Sequence, residues 1–443
     1  MNTTTRARAR RAAGAAGAAA ALSLGLACSA TGSAPGAAST TPASQPAESV
    51  ATPTPTPLPG VGTPPPTGLS PTQIANAYNL GPLRQRGIDG AGQTIVIVDS
   101  FGSPSIATDL TDFDAAFGLP APPSLKVIQP AGPVPAYTDT TTRSGWASET
   151  DMDVEWAHVM APGAAIVLAE TPTAETEGIA GFPQIDTALN YVLNHHLGQV
   201  ISQSFGATEE TFSSAVQISS LRGPYQLAQR DNVTVLAASG DNGASGETSD
   251  MKAVYPTPVV EWPASDPLVT AVGGTALKLG AAGQRLTPDI AWNQGGGGPS
   301  HVFTRPSYQN GVAGVTGSHR GIPDISMDAS CTSPVPVFGS YLGGGGWQTS
   351  CGTSLATPLM AGIVALADQV AGHSLGLINP ALYKMLAAHS PGLTDVVSGD
   401  NSVRAEDGTA DIPGFHAKRG YDLASGVGTV NGAQFVPELA RGG

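Results

Sequence analysis

Short apolar runs rich in β-branched residues recur along the middle of the chain, at 94–98, 164–168, 200–204 and 233–238. Runs of this length without regular polar alternation suit strands buried on both faces. Between them lie stretches with apolar residues at helical spacing, at about 105–117, 147–160, 182–196 and 211–230. Strands and helices in alternation predict an α/β fold with a doubly wound, mainly parallel sheet and helices on both faces. No internal repeat and no second linker interrupt the pattern, so 69–443 is expected to form one domain.

The pattern changes before residue 69. Arg6, Arg8, Arg10 and Arg11 precede an apolar run of Ala, Gly and Leu that ends near residue 27. That run is shorter than the about 20 residues a membrane span needs, and 1–27 reads as an export signal. Residues 28–68 are almost entirely Ser, Thr, Ala, Pro and Gly. Such a stretch cannot bury enough apolar surface to fold and reads as an extended tether. Leu26-Ala27-Cys28-Ser29 resembles a bacterial lipoprotein processing site, although Gly25 stands where leucine is more usual. A membrane tether through a lipid on Cys28 and plain cleavage further on both remain open. Either way an extracellular or cell-surface location is expected. Cys331 and Cys351 can pair in an oxidising compartment, which leaves Cys28 for a separate use.

Charge narrows the partners. With 34 acidic against 20 basic residues the formal net charge is -14. Little basic surface remains to meet phosphate, which argues against nucleic acid and anionic membrane surfaces as partners. A monomeric state is expected.

Three places carry candidate chemistry. The first is Cys351-Gly352-Thr353-Ser354-Leu355-Ala356-Thr357-Pro358, followed by an apolar helical run. A serine at a loop-to-helix junction is exposed, and the neighbouring backbone N–H groups point toward an incoming anion. The same serine also reads as an ordinary helix N-cap. The second is Glu149-Thr150-Asp151-Met152-Asp153-Val154-Glu155. Glu149 and Asp153 are four apart and project from one helix face, and Asp151 and Glu155 form a second such pair. The plainer explanation is an acidic first turn favoured by the helix dipole. The third is Ser239-Gly240-Asp241-Asn242-Gly243 after a strand, where Asp241 donates a hydrogen bond only when protonated; the same residues make a good turn.

Taken in order, these residues resemble the sedolisin family of serine-carboxyl peptidases, from about residue 69 to 439. The likeness extends to Ala161-Pro162-Gly163-Ala164, Ser202-Gln203-Ser204-Phe205-Gly206, Pro263-Ala264-Ser265-Asp266-Pro267, Val272-Gly273-Gly274-Thr275 and Trp292-Asn293. It implies a subtilisin-like fold and peptide hydrolysis at acid pH, with Ser354 as nucleophile. Glu149 is then the base, Asp153 its support and Asp241 the oxyanion donor. Acid pH suits the set, because at about pH 4 a histidine is almost wholly protonated, whereas a carboxyl pair sharing a proton keeps a competent base. A calcium site is implied through Asp395, Val396, Gly420 and Asp422, with Lys418 standing where another glycine is usual. Most members carry a large prodomain where this sequence has the tether, so a different route to folding and latency is expected. Asp99 ends the first strand and reads first as a strand-end turn residue, second as an outer member of the carboxyl set. Two rival readings stand: a subtilisin-type neutral peptidase, although no histidine sits in the His-Gly-Thr-His setting it requires, and a catalytically silent binding protein.

Overall fold

The computed structural model describes residues 67–341, 346–404 and 410–442. The export signal and nearly all of the tether, Cys28 included, lie outside the described residues. Seven strands build the main sheet: β1 (Thr94–Ser100), β2 (Leu125–Ile128), β3 (Ala165–Thr171), β4 (Val200–Gln203), β5 (Thr234–Ala238), β6 (Thr270–Ala276) and β7 (Ile325–Asp328). Their order is β7-β6-β5-β4-β1-β3-β2, and every neighbouring pair is parallel. The short strand Ile290–Ala291 adds antiparallel to β6. The expected architecture is therefore present.

Strand residues sort by parity into two cores. On β1, Ile95 and Ile97 face one core, and Val96 and Val98 the other. Ile166 and Leu168 on β3 go with the first, and Val167 and Ala169 with the second. This period of two, with both faces apolar, is why these strands read as unbroken apolar runs. The first core is closed by α1 (Ile106–Phe117), α2 (Thr141–Met160), α6 (Thr353–Ala371) and α7 (Gly432–Gly442), which contribute Phe113, Trp156, Leu359 and Phe435. The second is closed by α3 (Phe182–Asn194), α4 (Ala215–Ser220) and α5 (Gly223–Arg230), with Phe182, Ile218 and Tyr225. Helix α6 is long and apolar enough to cross a membrane by composition, but it is packed inside the fold.

Two helices depart from expectation. α2 starts at Thr141, about six residues early, because Thr140 caps it by accepting the Arg143 N–H. Its first turn holds no acidic residue, so the dipole explanation for Glu149 and Asp153 fails. The expected helix over 211–230 is broken into α4 and α5, and Pro224 sits in the first turn of the second piece. Cys331 and Cys351 form a disulfide with Cα atoms 5.1 Å apart.

Candidate active site

The site lies where the parallel strands end, as open α/β sheets favour. Asp99 is in the last turn of pleat of β1, Ser204 follows β4, and Asp241 follows β5. Ser354 enters from α6, whose first residue is Thr353. As the second helical residue, Ser354 has no helical carbonyl four positions back for its N–H, which leaves a donor directed at any oxygen bound there.

Asp241 is pinned to this helix start. Its Oδ1 accepts the Thr353 N–H at 2.8 Å and the Thr353 hydroxyl at 2.8 Å. The Gly240 N–H donates in turn to Thr353 Oγ1 at 3.1 Å. Asp241 Oδ2 lies over Gly352, where a Cβ would stand 2.6 Å from that oxygen; the backbone there has φ +119. Glycine is required at 352 on both counts. The Gly352 N–H reaches Ala329 O at 2.7 Å and the disulfide closes beside it, so the approach to Ser354 is held from two sides.

Glu149 and Asp153 stand one turn apart on α2, buried against α6. Glu149 lines the same cavity as Ser354. Burial pushes its pKa well above the carboxylate range, Asp99 adds to this, and the Ser354 hydroxyl opposes it by hydrogen bonding. Asp153 is fully buried and is raised likewise by burial, then by Asp99 and Glu149, against a hydrogen bond from Ser204. Ser204 Oγ lies 2.9 Å from Asp153 Oδ1 and 3.0 Å from the carbonyl oxygen of Ser354. A hydroxyl has one proton to give. Ser204 therefore shares that proton between Asp153 Oδ1 and the Ser354 carbonyl oxygen, which links the two residues.

Asp99 is a member of this cluster and not a turn residue. It lies within β1, is fully buried, and pairs in register with Glu170 of β3. Burial raises its pKa to about 7; the Thr150 hydroxyl lowers it and Glu170 raises it. Asp151 and Glu155, the second pair, point away to another buried position, where Glu155 accepts the Phe338 N–H. Histidine plays no part at the serine: His158 is buried against Asp114 at 3.3 Å and the Pro120 carbonyl at 2.8 Å. Ser204, within Ser202-Gln203-Ser204-Phe205-Gly206, gains a role only through its contacts with Asp153 and Ser354. Glu175, Glu177, Glu247 and Glu261 also line the cavity beside Ser354, although they are scattered along the sequence.

Three of the four residues implied for calcium, Asp395, Gly420 and Asp422, lie around one loop, and the Val396 side chain packs with Ala417 and Ala424. The Gly420 N–H donates to Asp395 at 3.2 and 3.1 Å, and the Lys418 N–H donates to Asp422 Oδ2 at 2.8 Å. Two carboxylates thus bracket one loop. Asp422 is buried and its Oδ1 also accepts from Ala424 and Ser425. This hard oxygen donor set suits calcium, provided the loop N–H groups turn away to release the carboxylates. Among the described residues no group of three or more His, Cys, Asp or Glu side chains converges as metal ligands, so main-chain oxygens would have to complete the shell.

A serine at a helix start, a buried carboxyl pair beside it and a parallel sheet beneath define a subtilisin-like α/β protein. Residues 141–408 match the Subtilase family. The chain belongs to that family and, within it, to the sedolisins. Kumamolisin from Bacillus sp. (strain MN-32) is 32% identical over 385 residues, covering 84% of this chain and 63% of that protein. Sedolisin from Pseudomonas sp. (strain 101) is 28% identical over 388 residues, covering 85% and 62%. The chain thus spans under two thirds of the length of these relatives. The solved structure of Pseudomonas sedolisin, a serine-carboxyl proteinase complexed with two molecules of pseudo-iodotyrostatin, superposes with a TM-score of 0.70 at 26% identity. That match covers 86% of this chain and 99% of the other.

Proposed function

We propose that the protein is an exported serine-carboxyl peptidase that cleaves peptide bonds at acid pH, with 69–443 as its catalytic unit. The observation that carries this reading is that Ser354 and the buried carboxyl of Glu149 line one cavity, with Asp153 and Asp99 buried behind Glu149. Buried carboxyls this close cannot all ionise, so at acid pH the set holds shared protons and at most a little negative charge. Glu149, beside Ser354, is the member placed to carry that charge, and the fully buried Asp153 behind it holds a proton.

Glu149 takes the Ser354 proton as Oγ attacks the peptide carbonyl carbon. The developing oxyanion is met by the Ser354 N–H and by a protonated Asp241. Because Oδ1 of Asp241 already accepts two donors, its proton belongs on Oδ2. Glu149 then passes the proton to the leaving amine nitrogen, and an acyl ester on Ser354 remains. Water attacks that ester, Glu149 takes its proton, and the proton returns to Ser354 Oγ as the acid leaves.

Calcium would serve as a structural ion held by Asp395, Asp422 and the carbonyls of Val396 and Gly420. Export is supported by the basic-then-apolar start and by the disulfide. A lipid on Cys28 would add a membrane tether, and the mass of the mature N-terminus decides between that and a free protein. The whole reading is tested by hydrolysis of a denatured protein across pH 3 to 8. Activity confined to acid pH is expected. Activity that peaks at neutral pH would point to an imidazole base, and none at any pH to a silent binding protein.

A further inference from the structure

The cavity that opens beside Ser354 is lined by four carboxyl groups besides Glu149, together with Trp146, Phe205 and Asn242. Glu175 and Glu177 come from the loop after β3, Glu247 from the loop after β5, and Glu261 from the short strand Glu261–Trp262. Glu175 is only 3% exposed, and its Oε1 has no hydrogen-bond partner. Glu247 Oε2 is likewise buried and without a partner. Glu177 is held in place, accepting the Thr208 N–H and the Thr211 hydroxyl, each at 2.9 Å. The Glu261 carboxyl sits between two glycines, where a Cβ on Gly206 or Gly240 would come within 3.0 or 2.7 Å of its oxygens. These two glycines leave the mouth open above that carboxyl.

Buried oxygens without donors are costly, and natural interiors retain few of them without a reason. The charged groups that act on Glu175 are Glu177 and Glu247, and those on Glu261 are Glu177, Asp241, Glu175 and Glu247. Every one is acidic. Among the described residues no cation acts on them, so in the cavity protons offset them: burial holds Glu175 and Glu261 well above the carboxylate range, and Glu177 is raised to about 7. A bound cation can take the place of those protons.

We propose that this cavity receives the side chain of the residue supplying the scissile carbonyl, and that Glu175, Glu177, Glu247 and Glu261 select an arginine or lysine there. The inference rests on the peptidase reading, because Ser354 and the carboxyls share one cavity and only that substrate residue is a single Cα from the attacked carbon. Arginine fits best, since its planar fork of donors meets several carboxylates at once and its charge is weakly hydrated.

The test compares two peptides that differ only at that position, arginine against citrulline, which keeps the shape and loses the charge. Binding is measured by calorimetry at pH 5 on the Ser354→Ala protein, so that neither peptide is consumed. The arginine peptide should bind at least about tenfold more tightly, as charge-assisted pairing in a buried site implies. Glu175→Gln with Glu261→Gln should bring the two within about threefold, the remaining margin being that of neutral hydrogen bonds. Equal affinities in the unsubstituted cavity overturn the proposal, as does a preference that survives both substitutions. Turnover by the unaltered enzyme separates the two levels. Cleavage of both peptides at the same kcat/KM sinks the cation pocket and leaves the peptidase standing. An affinity gap without cleavage of either peptide sinks the peptidase and leaves the pocket.

Discussion

Asp241 illustrates what a single residue can gate. Its Oδ1 is committed to Thr353, and its Oδ2 faces the space kept open by Gly352. A carboxyl donates from that oxygen only while protonated, and when ionised it repels a developing oxyanion. Asparagine has nearly the same shape and donates at every pH, although its amide must orient the oxygen toward Thr353. Asp241→Asn is therefore expected to keep measurable activity and to move the alkaline limb of the pH–rate profile upward. An active variant with an unchanged limb would show that Asp241 is not the pH-gated donor. The residues named from their local context, Ser354 and Asp241, were legible because each sits in a short motif with its own geometry. Asp99 and Ser204 were not, because what makes them members of the site is distant in sequence: Asp153 for Ser204, and Glu170, the register partner of Asp99.

At the scale of elements, the strands were legible because residues on both of their faces are buried, and the helices less so. Thr140 and Arg143 extend α2 through a cap and not through apolar spacing, and Pro224 divides what periodicity alone reads as one helix. The longer α2 matters, since it moves Glu149 and Asp153 away from the helix start and removes the dipole as their explanation. The C-terminal loops pose an element-level question of the same kind. Asp395 and Asp422 close on the loop at 418–420 from two sides. If calcium adds to the backbone bonds that already join these segments, chelation at constant pH should lower the Tm, and readdition should restore it by mass action. Asp422→Asn should abolish that calcium dependence. A Tm indifferent to chelator would remove calcium from the account.

Across the whole molecule, buried carboxyls far outnumber the cations that could pair with them. Burial raises the pKa of Glu149, Asp151, Asp153, Glu155, Glu175 and Glu261 well above the ordinary range. It brings Asp99, Glu177, Asp186 and Asp368 to about 7. Each of these groups keeps its proton in the folded protein at a pH where the unfolded chain has lost it. The folded state then binds more protons, so stability is fully present below about pH 4, the unfolded carboxyl value, and falls as pH rises through 7. The net charge of -14 adds self-repulsion in the same direction. Thermal unfolding with calcium held in excess should show a Tm lower at pH 8 than at pH 4 by at least about 5 °C. A higher Tm at pH 8 would mean that these carboxyls are ionised and paired in solution. Composition announced an acidic protein, but only the packing shows how many of its acids are inside.

The central claim is that a carboxyl group, Glu149, and not an imidazole, activates Ser354, and one comparison addresses it most directly. Hydrolysis at pH 4 is measured for the unaltered protein, Glu149→Gln, Ser354→Ala and the double variant, with folding checked by circular dichroism. Glutamine preserves size and hydrogen bonding but cannot take a proton. Each single variant should lose at least about a thousandfold in kcat, and the double should be little worse than either, because members of one catalytic unit are strongly non-additive. A folded Glu149→Gln variant with near-normal turnover would contradict the account.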